Sequence, residues 1–401
     1  MNVVRDFAAA VLPFLFVLPL VVVVHELGHF LAAKAFGIKI EQFSINFGRA
    51  LLRWRDRSGV EWRIGWLPLG GYVKFAGDVD ASSVPDRAAL DALRDEIRRN
   101  EGPGAEQRYF HFKPIWQRAV VTVAGPVANF LLAIVLFAAL LGTLGEAVTA
   151  PRVSGVRADS AAAEAGFRPG DLIRAIDGRS VDDFNDVPRR VMLASGETLR
   201  FSVERDGRLV ELLATPRRQI TTDPVGNRIE LGVLGIESRE RPTRVVYGPV
   251  EAIGRGAERT WSVLDTTLTY LGRVVTGRES ADMLSGPIGI GNTARQVADY
   301  GGQGAPSFEL RMLGAFVALV GLAAVVSVGL GFMNLMPIPV LDGGHLVFYA
   351  YEAVARRPLA AAAQGLAYRV GLALILGFML FATWNDLQRL RLFQAIGGLF
   401  S

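Results

Sequence analysis

Between Ala119 and Gly145 the chain reads AVVTVAGPVANFLLAIVLFAALLGTLG, 27 residues without a charge. A helix rising about 1.5 Å per residue crosses the hydrocarbon core of a bilayer in about 20 residues, so this block alone points to a membrane span. A second uncharged run covers 30 residues, from Met312 to Leu341, and ends at Asp342. A third, VGLALILGFMLFATWN at 370–385, is shorter but extends back through 366–368 if Arg369 snorkels its head group to the interface. The fourth lies near the N-terminus, at 7–24, and continues as HELGHFLAAKAF. A length of 401 residues would suit two or three soluble domains, yet 51% of the residues are hydrophobic, only 20% are charged, and the apolar ones are gathered in these blocks. The expected fold class is an α-helical polytopic membrane protein with four transmembrane helices.

A cleavable signal peptide is the alternative for the first block. Its leading residues hold Arg5 and Asp6 and so no clear positive bias, and no small-x-small cleavage site precedes a polar stretch, so a retained helix is expected. From Lys34 to Lys74 eight Lys or Arg (34, 39, 49, 53, 55, 57, 63, 74) stand against three acids, Glu41, Asp56 and Glu61. Such an excess places this loop on the cytoplasmic side. Four spans then put both termini and the long 146–311 segment on the outer side, the periplasm if the cell has one. The net charge of +4 is modest and spread out, with no aromatic-interleaved basic patch, which argues against nucleic acid as a partner. With no cysteine, disulfides and thiolate ligands are excluded, and any metal site is left to histidine and carboxylate.

Pattern divides the chain further. Residues 1–37 carry the first span, and 38–113 form a cytoplasmic-side loop in which IEQFSINF and VEWRIGW alternate as strands around the turn RDRSG, followed by a surface helix in ALDALRDEIRRNEG. Residues 114–148 hold the second span. Short strands and helices from 149 to 220 (DLIRAIDG, TLRFSVERDG, RLVELLAT, with AAAEAG and FNDVPRRVML) make a small α+β domain. Residues 221–309 add a strand and, at 249–277, an amphipathic helix suited to a membrane surface. The third span and its broken end occupy 310–351; a cytoplasmic loop, the fourth span and a tail occupy 352–401.

Two of the four histidines stand in VVVVHELGHF, residues 21–30. At i and i+4 on a helix, His25 and His29 point to one side, and their nitrogens can reach one cation. Glu26 projects at a different angle, close enough to take a proton from a water at the metal without being a ligand. This is the HExxH arrangement of a zinc hydrolase. Five residues are a weak signal in isolation, but ionisable groups are costly at membrane depth and serve an internal site when they occur there. The competing readings are a structural polar cluster and a cation or proton transport site.

A catalytic zinc takes three protein ligands and keeps one position open. Asp342 is the first charge after the 30-residue run; Pro337 and Pro339 break the helix before it, and Gly343 and Gly344 free the backbone to aim it. His345 is its rival for the third position. His111, among Phe110, Phe112 and Trp116, reads as interfacial. Asn334 and Asn129 could donate to a substrate backbone or to an oxyanion, or could bond helix to helix. Nitrogen and carboxylate donors suit zinc without excluding iron or cobalt.

HELGH at 25–29, GYVKFAGD at 71–78, GPVANF at 125–130 and NLMPIPVLDGGH at 334–345 together resemble the site-2 protease family of intramembrane zinc metalloproteases, most closely its bacterial branch that cleaves anti-sigma factors. The resemblance covers nearly the full length. It implies zinc held by His25, His29 and Asp342, Glu26 as catalytic base, and a membrane-associated β element, Gly71, Tyr72, Val73, Lys74 and Phe75, that contacts substrate with help from Asn334. It also implies a single-span membrane protein as substrate. GFRPGDLIRAIDG at 166–178 resembles a PDZ domain, which in this family is periplasmic and filters substrates by size; one such copy stands here rather than a tandem pair. A transporter built on the same polar cluster remains the alternative, against which stand the lack of an inverted repeat and the presence of a base. A PDZ adaptor with a dead core is countered by the intact HExxH.

Overall fold

The structure, a computed structural model, describes residues 3–77, 87–192, 194–222, 228–277, 281 and 286–389. Asp78, the first two residues of LSGPIGIGNTA and the tail from residue 390 lie outside the described residues. Two compact units divide the chain: Met1–Leu140, Ile253–Thr267 and Ser280–Ser401 form the first, and Leu141–Ala252 with Leu268–Glu279 the second.

The first unit begins with helix α1, Val3–Ala35, which keeps Pro13 and Pro19 within it. Prolines are tolerated in membrane helices because neighbouring groups re-satisfy the freed carbonyls. It stops where Gly37 adopts a left-handed φ of 65°. Ile38 N–H then bonds back to Ala33 (2.9 Å) and Gly37 N–H to Lys34 (3.0 Å), closing the end as a Schellman motif. Strands β1, Ile40–Arg55, and β2, Glu61–Phe75, follow and pair with one another. Each is used twice. Trp62–Ile64 face Trp54–Leu52 and also Phe43–Ile45, while the latter segment faces Val73–Gly71 on its other side. Among the described residues Gly71–Phe75 is therefore at the edge of the sheet. Phe43, fully buried, anchors the sheet on α1 by edge contact with Phe30 (5.4 Å between ring centroids). Helix α2, Arg87–Glu101, is the expected surface helix, and α3, Ile115–Thr143, is the second span.

The second unit, by itself, is a small α+β domain. In chain order it holds β3 (Glu146–Val148), β4 (Gly155–Val156), α4 (Ala161–Glu164), β5 (Leu172–Ile176), β6 (Arg179–Ser180) and α5 (Asp186–Met192), then β7 (Leu199–Arg205), β8 (Arg208–Ala214), β9 (Arg217–Thr222), β10 (Arg228–Val233), β11 (Ile236–Glu237) and β12 (Thr243–Val245). The main sheet has the order β6-β5-β7-β8. Alternation in β7 buries Leu199, Phe201 and Val203 against Val153, Phe167, Ile173 and Val187 while Arg200 points out. Asp171 is tied by Arg205 at 2.7 and 2.8 Å. Burial alone would raise that carboxyl; the Arg205 hydrogen bonds outweigh it and hold it below the usual range. At the neck, β12 pairs antiparallel with β3.

After this insertion come α6 (Pro249–Val275), α7 (Pro287–Gly301), α8 (Phe308–Asn334), α9 (Asp342–Ala355) and α10 (Ala361–Arg389). Among the described residues four helices are long and apolar enough to span: Leu12–Ala35, Ile115–Thr143, Phe308–Asn334 and Ala361–Asp386. The uncharged run after Met312 does not form one helix to Leu341: α8 ends at Asn334, because Pro337 and Pro339 cannot donate to a continuing ladder and disfavour helical backbone before them. Helices α3 and α8 pack through small residues, with Ala133, Ala324 and Val328 fully buried and Ser327 Oγ donating to the Asn129 carbonyl at 2.8 Å. Helix α10 is tied to α7 by Asp386, whose carboxylate accepts from Gly286 and Gly289 N–H at 2.9 and 2.7 Å. The mostly helical membrane architecture with four spans agrees with the sequence expectation.

Candidate metal centre

Helix α1 presents His25 and His29 on one side, as the i, i+4 spacing predicts, with their ring centroids 4.8 Å apart. The third member arrives from far along the chain. The segment 335–341 is a run of tight turns, Ile338 N–H to Met336 (2.7 Å) and Leu341 N–H to Ile338 (2.9 Å), which folds back on the first turn of α9. A Cβ on Gly343 would lie 2.3 Å from the Leu335 and Met336 carbonyl oxygens, and one on Gly344 2.3 Å from that of Ile338. Only glycine permits this approach, and it sets Asp342 at the start of α9. Further down that helix Glu352 receives Arg118 Nη2 at 2.7 Å, and the guanidinium lies over Tyr349, so α9 is also fixed to α3.

The result is a triangle of His25 Nε2, His29 Nε2 and Asp342 Oδ2 with sides of 3.1, 3.2 and 3.4 Å. Tetrahedral zinc with bonds of about 2.0–2.1 Å places neighbouring donor atoms about 3.3 Å apart. The donor chemistry fits as well as the spacing. Asp342 Oδ2 is buried and makes no hydrogen bond, although two imidazole nitrogens stand beside it. His29 Nδ1–H is directed at the Val121 carbonyl (2.8 Å), which leaves the Nε2 lone pair facing the centre of the triangle. These three residues are the His, Asp and Glu group able to hold a metal among the described residues.

Glu26 is half-buried one position after His25. A Cβ on Gly71 would meet Glu26 Cγ at 3.4 Å. The edge of the sheet thus runs directly beside the HExxH glutamate. Of the five residues expected to contact substrate, Gly71 and Val73 lie against Glu26. Tyr72 stacks on Phe47, Lys74 pairs with Glu41 at 3.1 Å, and Phe75 stacks on Phe110. Asn129 is fully buried with Nδ2 3.2 Å from His25 Nδ1, and Asn334 is the half-buried last residue of α8. His345 sits away from the triangle, its ring among Phe348, Tyr349 and Tyr368, and His111 has its ring edge-on to Phe110.

Sequence reasoning missed Gly125. A Cβ there would lie 2.3 Å from His29 Nε2 and 2.9 Å from His25 Cε1, so α3 needs a glycine where it passes the histidines. The Gly-Pro pair in mid-span was the available signal, since Pro126 cannot donate to the Thr122 carbonyl and so interrupts the ladder beside Gly125.

Residues 13–378 match the model of peptidase family M50. The chain belongs to that family. Metalloprotease MmpA of Caulobacter vibrioides is 51% identical over 387 residues, covering 96% of this chain and 97% of its own. Two proteins named "Putative zinc metalloprotease" are 44% identical (Agrobacterium fabrum; 95% of this chain, 96% of theirs) and 43% identical (Rhizobium meliloti; 94% and 95%). This M50 chain is a zinc-dependent protease of multi-pass membrane type, and the transporter reading finds no support among these relatives.

Proposed function

We propose that His25, His29 and Asp342 hold the zinc, that Glu26 is the base, and that the enzyme cuts a peptide bond in or beside the membrane helix of a single-span protein. The substrate class that best fits is an anti-sigma factor whose outer domain has already been trimmed, as in regulated intramembrane proteolysis. The setting is a bacterial inner membrane, with both termini and the PDZ-like 149–220 domain in the periplasm. Supporting that orientation is the eight-to-three excess of basic residues between Lys34 and Lys74.

One observation carries the reading: the HExxH glutamate packs against the edge of a β-sheet, where a Cβ on Gly71 would meet Glu26 Cγ at 3.4 Å. A peptide carbonyl inside a helix is engaged with its own ladder and cannot be attacked. Extended pairing along Gly71–Phe75 would hold the opened segment and bring its carbonyl to Glu26. Asn334, at the end of α8, is the residue expected to steady it. When bound, zinc supplies Lewis acidity toward the carbonyl oxygen and makes the attacking water acidic near neutral pH. Glu26 takes that water's proton on its carboxylate and passes it to the leaving amine nitrogen. Substrates with weak helices are therefore favoured, because less ladder must be opened.

The test uses purified protein in liposomes and a tagged single-span substrate lacking its outer domain, read on a gel. Glu26→Gln should lower cleavage by about 10²- to 10⁴-fold, the usual worth of a general base. Chelation should abolish it. Equal cleavage by wild type, Glu26→Gln and the chelated sample would remove the reading.

A further inference from the structure

The two histidines of the triangle differ in what their second ring nitrogen meets. For His29 it is the Val121 carbonyl, an acceptor that can only place the proton on Nδ1. For His25 it is the Asn129 side chain, at 3.2 Å from Nδ1. Asn129 is fully buried, and its Oδ1 has no hydrogen-bond partner while Nδ2 faces the ring. With the amide donating in this way, His25 Nδ1 must be an acceptor and the neutral ring carries its proton on Nε2, the atom that points into the triangle. That tautomer cannot offer a lone pair to a metal.

A half turn of the terminal amide exchanges the two atoms. Oδ1 then accepts from His25 Nδ1–H, the lone pair moves to Nε2, and the oxygen that had no partner acquires one. We propose that Asn129 is a positioning residue for the metal: its amide oxygen fixes the tautomer and ring plane of His25, as the Val121 carbonyl does for His29. Helix α3 thereby supplies the outer partners of both histidines from positions two turns apart. The amide oxygen supplies this acceptor without adding a formal charge at membrane depth. The proposal rests on His25, His29 and Asp342 being the ligands and is independent of which substrate is cut.

The experiment measures zinc affinity of the full chain in detergent by competition with a chromophoric chelator, with the visible spectrum of the cobalt-loaded form as a second readout. Loss of a ligand's outer partner costs about 10- to 100-fold in metal affinity, and Asn129→Leu, similar in size but without an acceptor, should show that loss. Asn129→Asp, whose carboxylate can accept from Nδ1–H, should bind zinc as tightly as wild type or tighter, with the wild-type cobalt spectrum. Ser327→Ala, which removes only the bond to the Asn129 backbone carbonyl, should leave affinity unchanged and so reports on helix packing alone. Unchanged affinity in Asn129→Leu overturns the proposal. If that variant does not accumulate, Asn129→Asp decides: a loss of about 10-fold or more overturns it, and retained binding upholds it. His25→Ala tests the ligand assignment separately, since zinc retained there would end both.

Discussion

At the scale of single residues the centre depends on how closely two helices approach. Gly125 touches His29 and His25 so tightly that no Cβ can stand there without displacing a ring. Gly125→Ala separates this demand from helix stability. Alanine favours a helix over glycine by about 1 kcal/mol, so the metal-free protein should melt no lower than wild type. Its zinc affinity should fall by about 10-fold or more, because His29 must turn its Nε2 out of the triangle. Isothermal titration beside a thermal melt checks both; a variant that binds zinc normally would mean that the ring can yield. The same contrast explains what was legible in the sequence. His25 and His29 follow from helical spacing, and Asp342 from a lone charge behind two prolines, all local patterns. Gly125 and the Asn129–His25 contact depend on the packing of α1 against α3, which no local pattern encodes. Glu26 beside the histidines was visible in the motif, but its packing against Gly71 was not, because it joins a helix to a strand about 45 residues away.

Among the elements, the spans were legible because length and apolarity are what a bilayer selects. The sheet was legible only as alternation. Its double use of both strands, which makes Gly71–Phe75 an edge, is a matter of register, and a register is set by long-range pairing that alternation does not specify. The distal end of the sheet is held by Asp56. Its Oδ1 accepts from Ser58 Oγ (2.7 Å), Ser58 N–H (2.8 Å) and Val60 N–H (3.1 Å), and its Oδ2 from the Trp62 indole (3.1 Å). The Ser58 hydroxyl foremost, aided by the indole and the two amides, brings its carboxyl down to about 2 from 3.8. A depressed folded value means stability that is present in full above the unfolded pKa and is lost as pH falls through the folded one. The turn should therefore hold at pH 4 and open between about 3.8 and about 2. The Asp56 carboxyl carbon shift in an NMR titration measures this directly, and a midpoint near the unperturbed value would dismiss the network. Asp56→Ala should speed hydrogen exchange at Ser58 and Val60 while leaving Val73 as it is.

For the whole molecule the question is what an inserted domain adds to a membrane protease. The chain leaves α3 at Thr143 and re-enters α6 at Pro249 through a neck in which Glu146, Ala147 and Val148 face Val245, Arg244 and Thr243. Antiparallel partners lie about 4.5–5.5 Å apart and can be joined by a two-residue turn. Residues 149–242 can thus be replaced by Asn-Gly between Val148 and Thr243 with both helix ends kept in place. Nothing of the domain's core is left half-built, since its buried residues run from Val153 to Leu234. Arg273 loses its partner Glu197, a loss of about 1 kcal/mol or less for a pair with one exposed member. A filter and a recruiter predict opposite results for this variant. A filter acts by exclusion, so its removal leaves cleavage of a trimmed substrate unchanged and allows cleavage of the same substrate with its outer domain intact. A recruiter acts by binding, so its removal raises KM for the trimmed substrate and admits nothing new. A size-filter reading of the inserted α+β domain expects the first pattern, and continued resistance of the untrimmed substrate, together with a raised KM, would assign the domain to recruitment instead.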